Sequence, residues 1–396
     1  MSTTIAIYKD FLTTGRGADR AVCAFANAMV TYGYQVHIIV QQRSSVPLSV
    51  TFDPAVSCHH IRMSRIRSAA GSLNKLLLRS VIGERILRRV FPWIDLMRET
   101  SQRLRTCLAE IAPDLVVSAG TNECVELTYC GKLPMPLVQM FHVYPPVCFA
   151  KNKYQRVTRL RRALQNVDAI QVLLPSHRTF LSEICKAPVT AIGNAISFPV
   201  EEFIPPPSAR DRTIVYVAYF TKDKNQLDLI DAFALLKERE EWELCLYGSG
   251  TREWENRLRE RIAARGISSR VRLFGIAQTP RNVLLHASIC AFPSLTEGFG
   301  LALVEAMWCG LPCVGFQSSP GVNELMVHEA NGLLAASSAE SFAAQLERLV
   351  RDATLRERLG TAAARTVRTM YAPARIWQQW DDFLHRVLAS SKLNCQ

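Results

Sequence analysis

Apolar residues arrive along this chain in two alternating rhythms. "TIAIY" (residues 4–8) is a short continuous apolar run of the kind that fills a buried strand. "GADRAVCAFANAMVTYG" (17–33) then spaces its apolar residues at helical intervals and stops at a glycine, and "QVHIIV" (35–40) returns to the strand pattern. "PDLVVSAG" (113–120), "MPLVQMFH" (135–142), "VDAIQVLLP" (167–175) and "VTAIGNAI" (189–196) continue the strand series. "FPVEEFIPPPSARDR" (198–212) carries three consecutive prolines and little periodicity, which marks a linker. Beyond it the pattern restarts. "TIVYVAYF" (213–220) reads as a strand and "NQLDLIDAFALLKER" (225–239) as a helix, while "WELCLYGSG" (242–250), "VRLFG" (271–275), "ICAFPS" (289–294) and "PCVGF" (312–316) are further strands. "IWQQWDDFLHRVL" (376–388) is helical.

Short strands alternating with helices predict an α/β fold of two Rossmann-like, doubly wound parallel sheets. The expected organisation is a first lobe over 1–197, a linker over 198–212, a second lobe over 213–375, and a C-terminal helix over 376–396. That helix is expected to cross back to the first lobe, and the lobes to face a central cleft. A chain of 396 residues is long enough for two cores.

Composition narrows the class. The twelve cysteines include no C-x-x-C pair, which reads as reduced thiols and excludes a disulfide scaffold or a zinc ribbon. "TTIAIYKDF" is too short and strand-like for a signal-peptide core, and no apolar run reaches the ~18 residues of a membrane span. The expected location is cytoplasmic, with peripheral contact at the inner face of the plasma membrane. The net charge of +12 is lopsided: residues 1–200 hold 24 Lys and Arg against 12 Asp and Glu, and residues 201–396 hold 23 against 23. An anionic partner for the first half, or simple solubility, accounts for such a field.

The chemistry concentrates in "FPSLTEGFGLALVEAMWCGLPCVGF" (292–316). A helix is predicted from about Gly300 through "LALVEAMWC", stopped by Gly310 and Pro312. The "EGFG" turn lets backbone approach a ligand, and the free N–H groups of the helix start suit a phosphate. Glu305, little more than a turn down the helix, is able to accept two hydrogen bonds from a vicinal diol such as a ribose. Glu297 and Glu305 are thus either two incidental charges or two ends of one site. "GSGTRE" (248–253) lacks a third glycine and is a weak dinucleotide fingerprint.

The same stretch resembles the signature of retaining glycosyltransferases of the two-Rossmann-lobe (GT-B) type, family 4, with Glu297 and Glu305 at the two glutamates of its E-x7-E motif. "KNQLDLIDAFALL", "LCLYGSG", "VRLFG" and "NGLL" (331–334) extend the likeness. In the first lobe, "GRGADRAVCAFANAMVTYGYQVHIIV" and "QMFHVYPP" resemble the family's opening glycine loop and its histidine-ended strand. The resemblance implies that Glu305 holds the ribose and Glu297 the donor sugar, with backbone of Gly298, Phe299, Gly300 and Leu301 at sugar and phosphates. It implies that Lys224 neutralises the diphosphate, that Gly275 lies by the base, that Gly17 lies near the diphosphate, and that His142 touches the sugar. A satisfied core histidine is the other reading of His142. Where the family carries Gly-Arg, this chain has Ala218-Tyr219, leaving Lys222 as the substitute cation.

The expected function is a retaining hexosyltransferase moving sugar from a nucleotide donor, UDP by frequency within the family, to a lipid-linked or anionic glycan in cell-surface polysaccharide or lipopolysaccharide biosynthesis. No D-x-D pair is present, so metal-free catalysis without a cofactor is expected. A catalytically silent glycan- or membrane-binding protein on the same fold, or a sugar-nucleotide epimerase, are the alternatives. Two basic stretches, 62–89 and 151–162, are candidates for acceptor or membrane contact through Arg85, Arg88, Arg89, Arg159 and Arg161. Amphipathic helices packed on the core fit them too. Nucleic acid is a poor match, for want of interleaved aromatics.

Overall fold

A computed structural model of the chain describes residues 2–12, 16–41, 50–61, 96–150, 154–196, 205–237 and 241–393, with residues 48 and 198. It divides into two compact units, Met1–Gly193 with Ile376–Gln396, and Asn194–Arg375.

The first unit is built on seven strands: β1 (Thr4–Lys9), β2 (Gln35–Val40), β3 (Ser57–His60), β4 (Leu115–Ser118), β5 (Leu137–Met140), β6 (Ala169–Val172) and β7 (Val189–Ala191). They lie in the order β3-β2-β1-β4-β5-β6-β7, and each neighbouring pair is parallel. The direction of winding reverses between β1 and β4, and open sheets of this kind bind ligands beyond the carboxyl ends of the strands at such a point. Strand β3 was not legible in the sequence, because "SCHH" has no apolar alternation and mostly faces solvent. It is held by pairing with β2, and His37 Nδ1 lies 2.8 Å from His59 Nε2 across that pair.

The helix Gly17–Thr31 ends near the predicted glycine stop, Gly33, which takes φ +87°. The C-terminal helix, Pro373–Leu393, places Trp380 on Phe25 with ring centroids 4.5 Å apart, and Tyr34 donates to Asp381 at 2.6 Å. The helix Tyr154–Leu164 sends Leu160, Ala163 and Leu164 into the core with Tyr8, Leu137 and Phe141. Its apolar side is therefore occupied by protein, and Arg156, Arg161 and Arg162 are exposed. Among the described residues no helix is long and apolar enough to cross a membrane.

The second unit repeats the plan with β8 (Thr213–Val217), β9 (Glu243–Tyr247), β10 (Val271–Gly275), β11 (Ile289–Phe292), β12 (Cys313–Phe316) and β13 (Leu333–Ala335). These are parallel in the order β10-β9-β8-β11-β12-β13, with the reversal between β8 and β11. The helix predicted over 225–239 is shorter, Gln226–Ala234. Gly248 and Gly250, dismissed above as a nucleotide fingerprint, serve packing: a Cβ at Gly248 would strike the Ala218 carbonyl, and one at Gly250 would lie 2.7 Å from Phe220 Cβ. Both glycines let the ends of β8 and β9 close on one another.

Candidate active site

The β8–β11 reversal in the second unit gathers most of the predicted donor residues. After β8 the chain makes a tight turn, Lys222–Lys224, passes through Asn225 in left-handed backbone (φ +56°), and enters the helix Gln226–Ala234. After β11 it forms the loop that carries Ser294 to Gly300. Tyr216, 1% exposed, ties the two loops: its hydroxyl donates to the Lys224 carbonyl at 3.0 Å and lies 2.7 Å from Ser294 Oγ. Burial and the Glu297 charge raise its pKa well above the ordinary value, so it remains a neutral donor. The Leu295 amide donates to the Asp223 carbonyl at 2.9 Å, a second tie.

Held in this way, Lys224 Nζ meets Glu297 Oε1 at 2.5 Å. Glu297 is 8% exposed, and its amide donates to the Pro320 carbonyl at 3.0 Å. Gly321 packs on its backbone at φ +86°, and a Cβ there would lie 2.7 Å from the Glu297 carbonyl oxygen. Neither Tyr216 nor Gly321 was singled out from the sequence. Tyr216 reads as one more apolar residue in a strand, and Gly321 as a turn glycine.

The turn continues through Gly298 and the buried Phe299, whose ring stands edge-on to Tyr371 with centroids 4.9 Å apart. Gly300, at φ +74°, starts the helix Leu301–Trp308 with no side-chain cap on its first amides. The N–H groups at that helix start and the positive end of its dipole are arranged to receive an anion. Glu305 lies in the same helix, 3% exposed. Lys222 is exposed on its turn, and Tyr219, where a second cation was looked for, is 43% exposed. Gly275 ends β10 at φ +73° with open space where a side chain would stand, and its carbonyl accepts from the Gly248 amide at 2.6 Å.

The remaining predicted residues belong to the first unit. Gly17 opens its helix beside the exposed Arg16. His142 follows β5, and both its ring nitrogens are buried without a hydrogen-bond partner among the described residues. Burial, helped by the Lys9 charge, pushes its pKa down to about 4, so the ring is neutral near pH 7. Arg161 lies over the Phe149 ring, 5.4 Å from its centroid, and Arg159 is part-buried on the same helix. Arg85, Arg88 and Arg89 lie outside the described residues.

A charged cluster at the β1–β4 reversal was missed. Lys9 Nζ, at the end of β1, bonds Asp10 Oδ1 at 2.7 Å and also Glu123 Oε1, which is 3% exposed. Beside it Tyr8 donates to Glu126 at 2.5 Å. Burial, and then the Asp10 charge, raise Glu123 to about 7 against the pull of Lys9. Lys9 and Asp10 looked like the end of a strand, and "TNECVEL" was not assigned to a helix, so no pattern signalled the pairing.

Residues 198–366 match the family of glycosyl transferases group 1, a span that includes Lys224, Glu297 and Glu305. An exopolysaccharide phosphotransferase of Streptomyces coelicolor is 32% identical over 229 residues, 56% of this chain and 24% of that protein. N-acetyl-alpha-D-glucosaminyl L-malate synthase of Bacillus anthracis is 26% identical over 186 residues, 47% of this chain and 48% of the relative. The matches thus span about a quarter and about half of the lengths of these two relatives. Among solved structures, HepE of Anabaena in complex with UDP and glucose superimposes with a TM-score of 0.73 at 17% identity, covering 97% of this chain and all of that one. Such a likeness shows the fold: two parallel-sheet α/β units of the GT-B type.

Proposed function

We propose that the protein is a retaining hexosyltransferase. It moves a sugar from a nucleotide donor, a UDP-sugar first of all, to a lipid-linked or anionic glycan in cell-surface polysaccharide or lipopolysaccharide assembly. The observation that carries this reading is the Lys224–Glu297 pair, set in the loops beside an uncapped helix start with Glu305 buried in that same helix. A diphosphate at the helix start would be neutralised by amides and by Lys224, which stabilise charge as it develops on the leaving group without a metal. Drawing Lys224 to the phosphate releases the Glu297 carboxylate to accept hydroxyls of the sugar. Glu305 is assigned the ribose, which needs paired acceptors at that depth.

The match of residues 198–366 to group 1 transferases supports the reaction class, and the UDP carried by the Anabaena structure supports the choice of donor. The outward arginines of the helix Tyr154–Leu164 support peripheral contact with anionic lipid through charge alone. The test is a panel of UDP-, GDP- and ADP-sugars assayed for binding and slow hydrolysis with EDTA present. Selective turnover of one donor, lost in Glu297→Ala with the fold retained, is the expected result. Failure of every donor to bind would refute the reading.

A further inference from the structure

A cavity of about 570 Å³ opens in the second unit, away from the residues gathered at the β8–β11 reversal. Arg210 and Gly310, which line it, stand just before β8 and β12, so it lies at the amino edge of the sheet. Lys224 and Glu297 follow β8 and β11, at the carboxyl edge where such folds take their substrates. The helix Leu301–Trp308 runs between the two edges, over ~12 Å.

Three arginines line the cavity. Arg210 donates to Pro205 at 2.9 and 2.6 Å, to Leu284 and Ala287 at 3.3 Å each, and to Cys309 at 2.7 Å, all through carbonyl oxygens. Those five bonds use its five N–H groups, so it offers the cavity a field and no free donor. Arg368, on the helix Ala353–Met370, stands over the Trp308 ring, 5.7 Å from its centroid, and donates to the Trp308 carbonyl at 3.2 Å. Its Nε is buried with no hydrogen-bond partner among the described residues. Arg365, three residues earlier on the same helix, is exposed and in no ion pair among the described residues.

We propose that this cavity is a binding site for a small phosphate monoester. The proposal does not depend on the transferase reading.

Arg210 and Arg368 also serve as caps, since cations favour the last carbonyls of the helix Leu301–Trp308. The charge present exceeds that task. Three guanidinium groups face one carboxylate, Glu357, and about half a negative charge at the helix end, which leaves about one and a half positive charges. A phosphate monoester carries about 1.5–2 negative charges at pH 7, and a carboxylate carries one. Arg365 and Arg368, three apart, share a helix face and supply the charge-assisted donors for such a group. The buried Nε of Arg368, costly while unbonded, gains an acceptor. Beyond the phosphate, the Thr361 and Thr369 hydroxyls suit a polar body, in a volume typical of small-molecule sites. The wall is firm: a Cβ at Gly360 would lie 2.1 Å from the Gly310 carbonyl oxygen, so the helix Ala353–Met370 is seated directly on that turn.

Isothermal titration calorimetry on the full chain tests this, with glucose 6-phosphate and glycerol 3-phosphate as probes, and inorganic phosphate and glucose as comparisons. At least one monoester is expected to bind about tenfold or more tightly than inorganic phosphate, and glucose is not expected to bind. Arg365→Gln should weaken the monoester about fivefold or more, and Arg368→Gln about tenfold or more. If Arg368→Gln does not fold, the change at the exposed Arg365 still decides. Affinity should be unchanged in Lys224→Ala, which separates this cavity from the helix start at the opposite edge. Four results would each overturn the proposal: no monoester binding, inorganic phosphate bound as tightly (an adventitious ion only), equal affinity in Arg365→Gln, or loss of binding in Lys224→Ala.

Discussion

Gly321→Ala touches no predicted ligand contact, yet it bears directly on Glu297. Gly321 holds φ +86°, and a methyl group there would lie 2.7 Å from the Glu297 carbonyl oxygen and 3.0 Å from its Cβ. Left-handed backbone costs a residue with a Cβ about 1–2 kcal/mol. Overpacking at a site that cannot relax adds about 1–3 kcal/mol. Relaxation is restricted, because the Glu297 amide is bonded to the Pro320 carbonyl and the next loop is tied through Leu295 to Asp223. The sum is a loss of about 2–5 kcal/mol from the second unit. Any relief comes from moving Glu297 by roughly half an ångström or more, and displacements approaching 1 Å in a reacting constellation cost up to ~100-fold in rate. The assay is thermal melting followed by the tryptophan fluorescence of the second unit, with donor hydrolysis measured well below the melt. A variant that melts with the wild type and turns over donor at the wild-type rate would refute the claim that Gly321 sets the position of Glu297.

Tyr216→Phe removes the hydroxyl that bridges Lys224 and Ser294, and should cost about 1–2 kcal/mol with weakened donor binding. Calorimetric titration and a melt check both parts. Arg210 donates to the carbonyls of Pro205, Leu284, Ala287 and Cys309, so Arg210→Ala should destabilise the second unit by about 3 kcal/mol or more, as read by urea unfolding. The Glu123 carboxyl, facing Lys9 and Asp10, is raised from 4.5 to about 7. The folded protein therefore holds the proton more tightly, and this contribution is present below pH 4.5 and lost as pH rises to about 7. His142, lowered by burial and then by the Lys9 charge from 6.5 to about 4, contributes the opposite slope, with stability gained as pH rises from about 4 to 6.5. Stability measured against pH should lose the first slope in Glu123→Gln and the second in His142→Asn.

Elements that bury both faces, such as β1, β8 and β11, declared themselves as apolar runs, because burial itself selects the residues that were read. Two of the four edge strands did not. Ser57–His60 is polar and Leu333–Ala335 only three residues long, so backbone pairing rather than side-chain burial holds each in place. At the site, Glu297 and Glu305 stood out because a carboxylate inside an apolar helix or beside a glycine turn breaks the local pattern. The residues that position them were hidden for the converse reason. Tyr216 conforms to a strand, and the need for a glycine at 321 arises from a neighbour 24 positions earlier. The Lys9–Glu123 pair spans 114 positions between elements joined only by the sheet, a distance that no local rhythm encodes.

The packing of Trp380 on Phe25, and of Asp381 against Tyr34, has a bearing on how the molecule is made. A ribosome delivers Phe25 and Tyr34 early and their partners some 350 residues later. The second unit, continuous from Asn194 to Arg375, has all its strands in hand before those partners emerge. The half that is synthesised first is therefore the half that closes last. Until Trp380 emerges, the Phe25 ring on the helix Gly17–Thr31 lacks that cover, in an interval during which a nascent chain is exposed to chaperones and proteases.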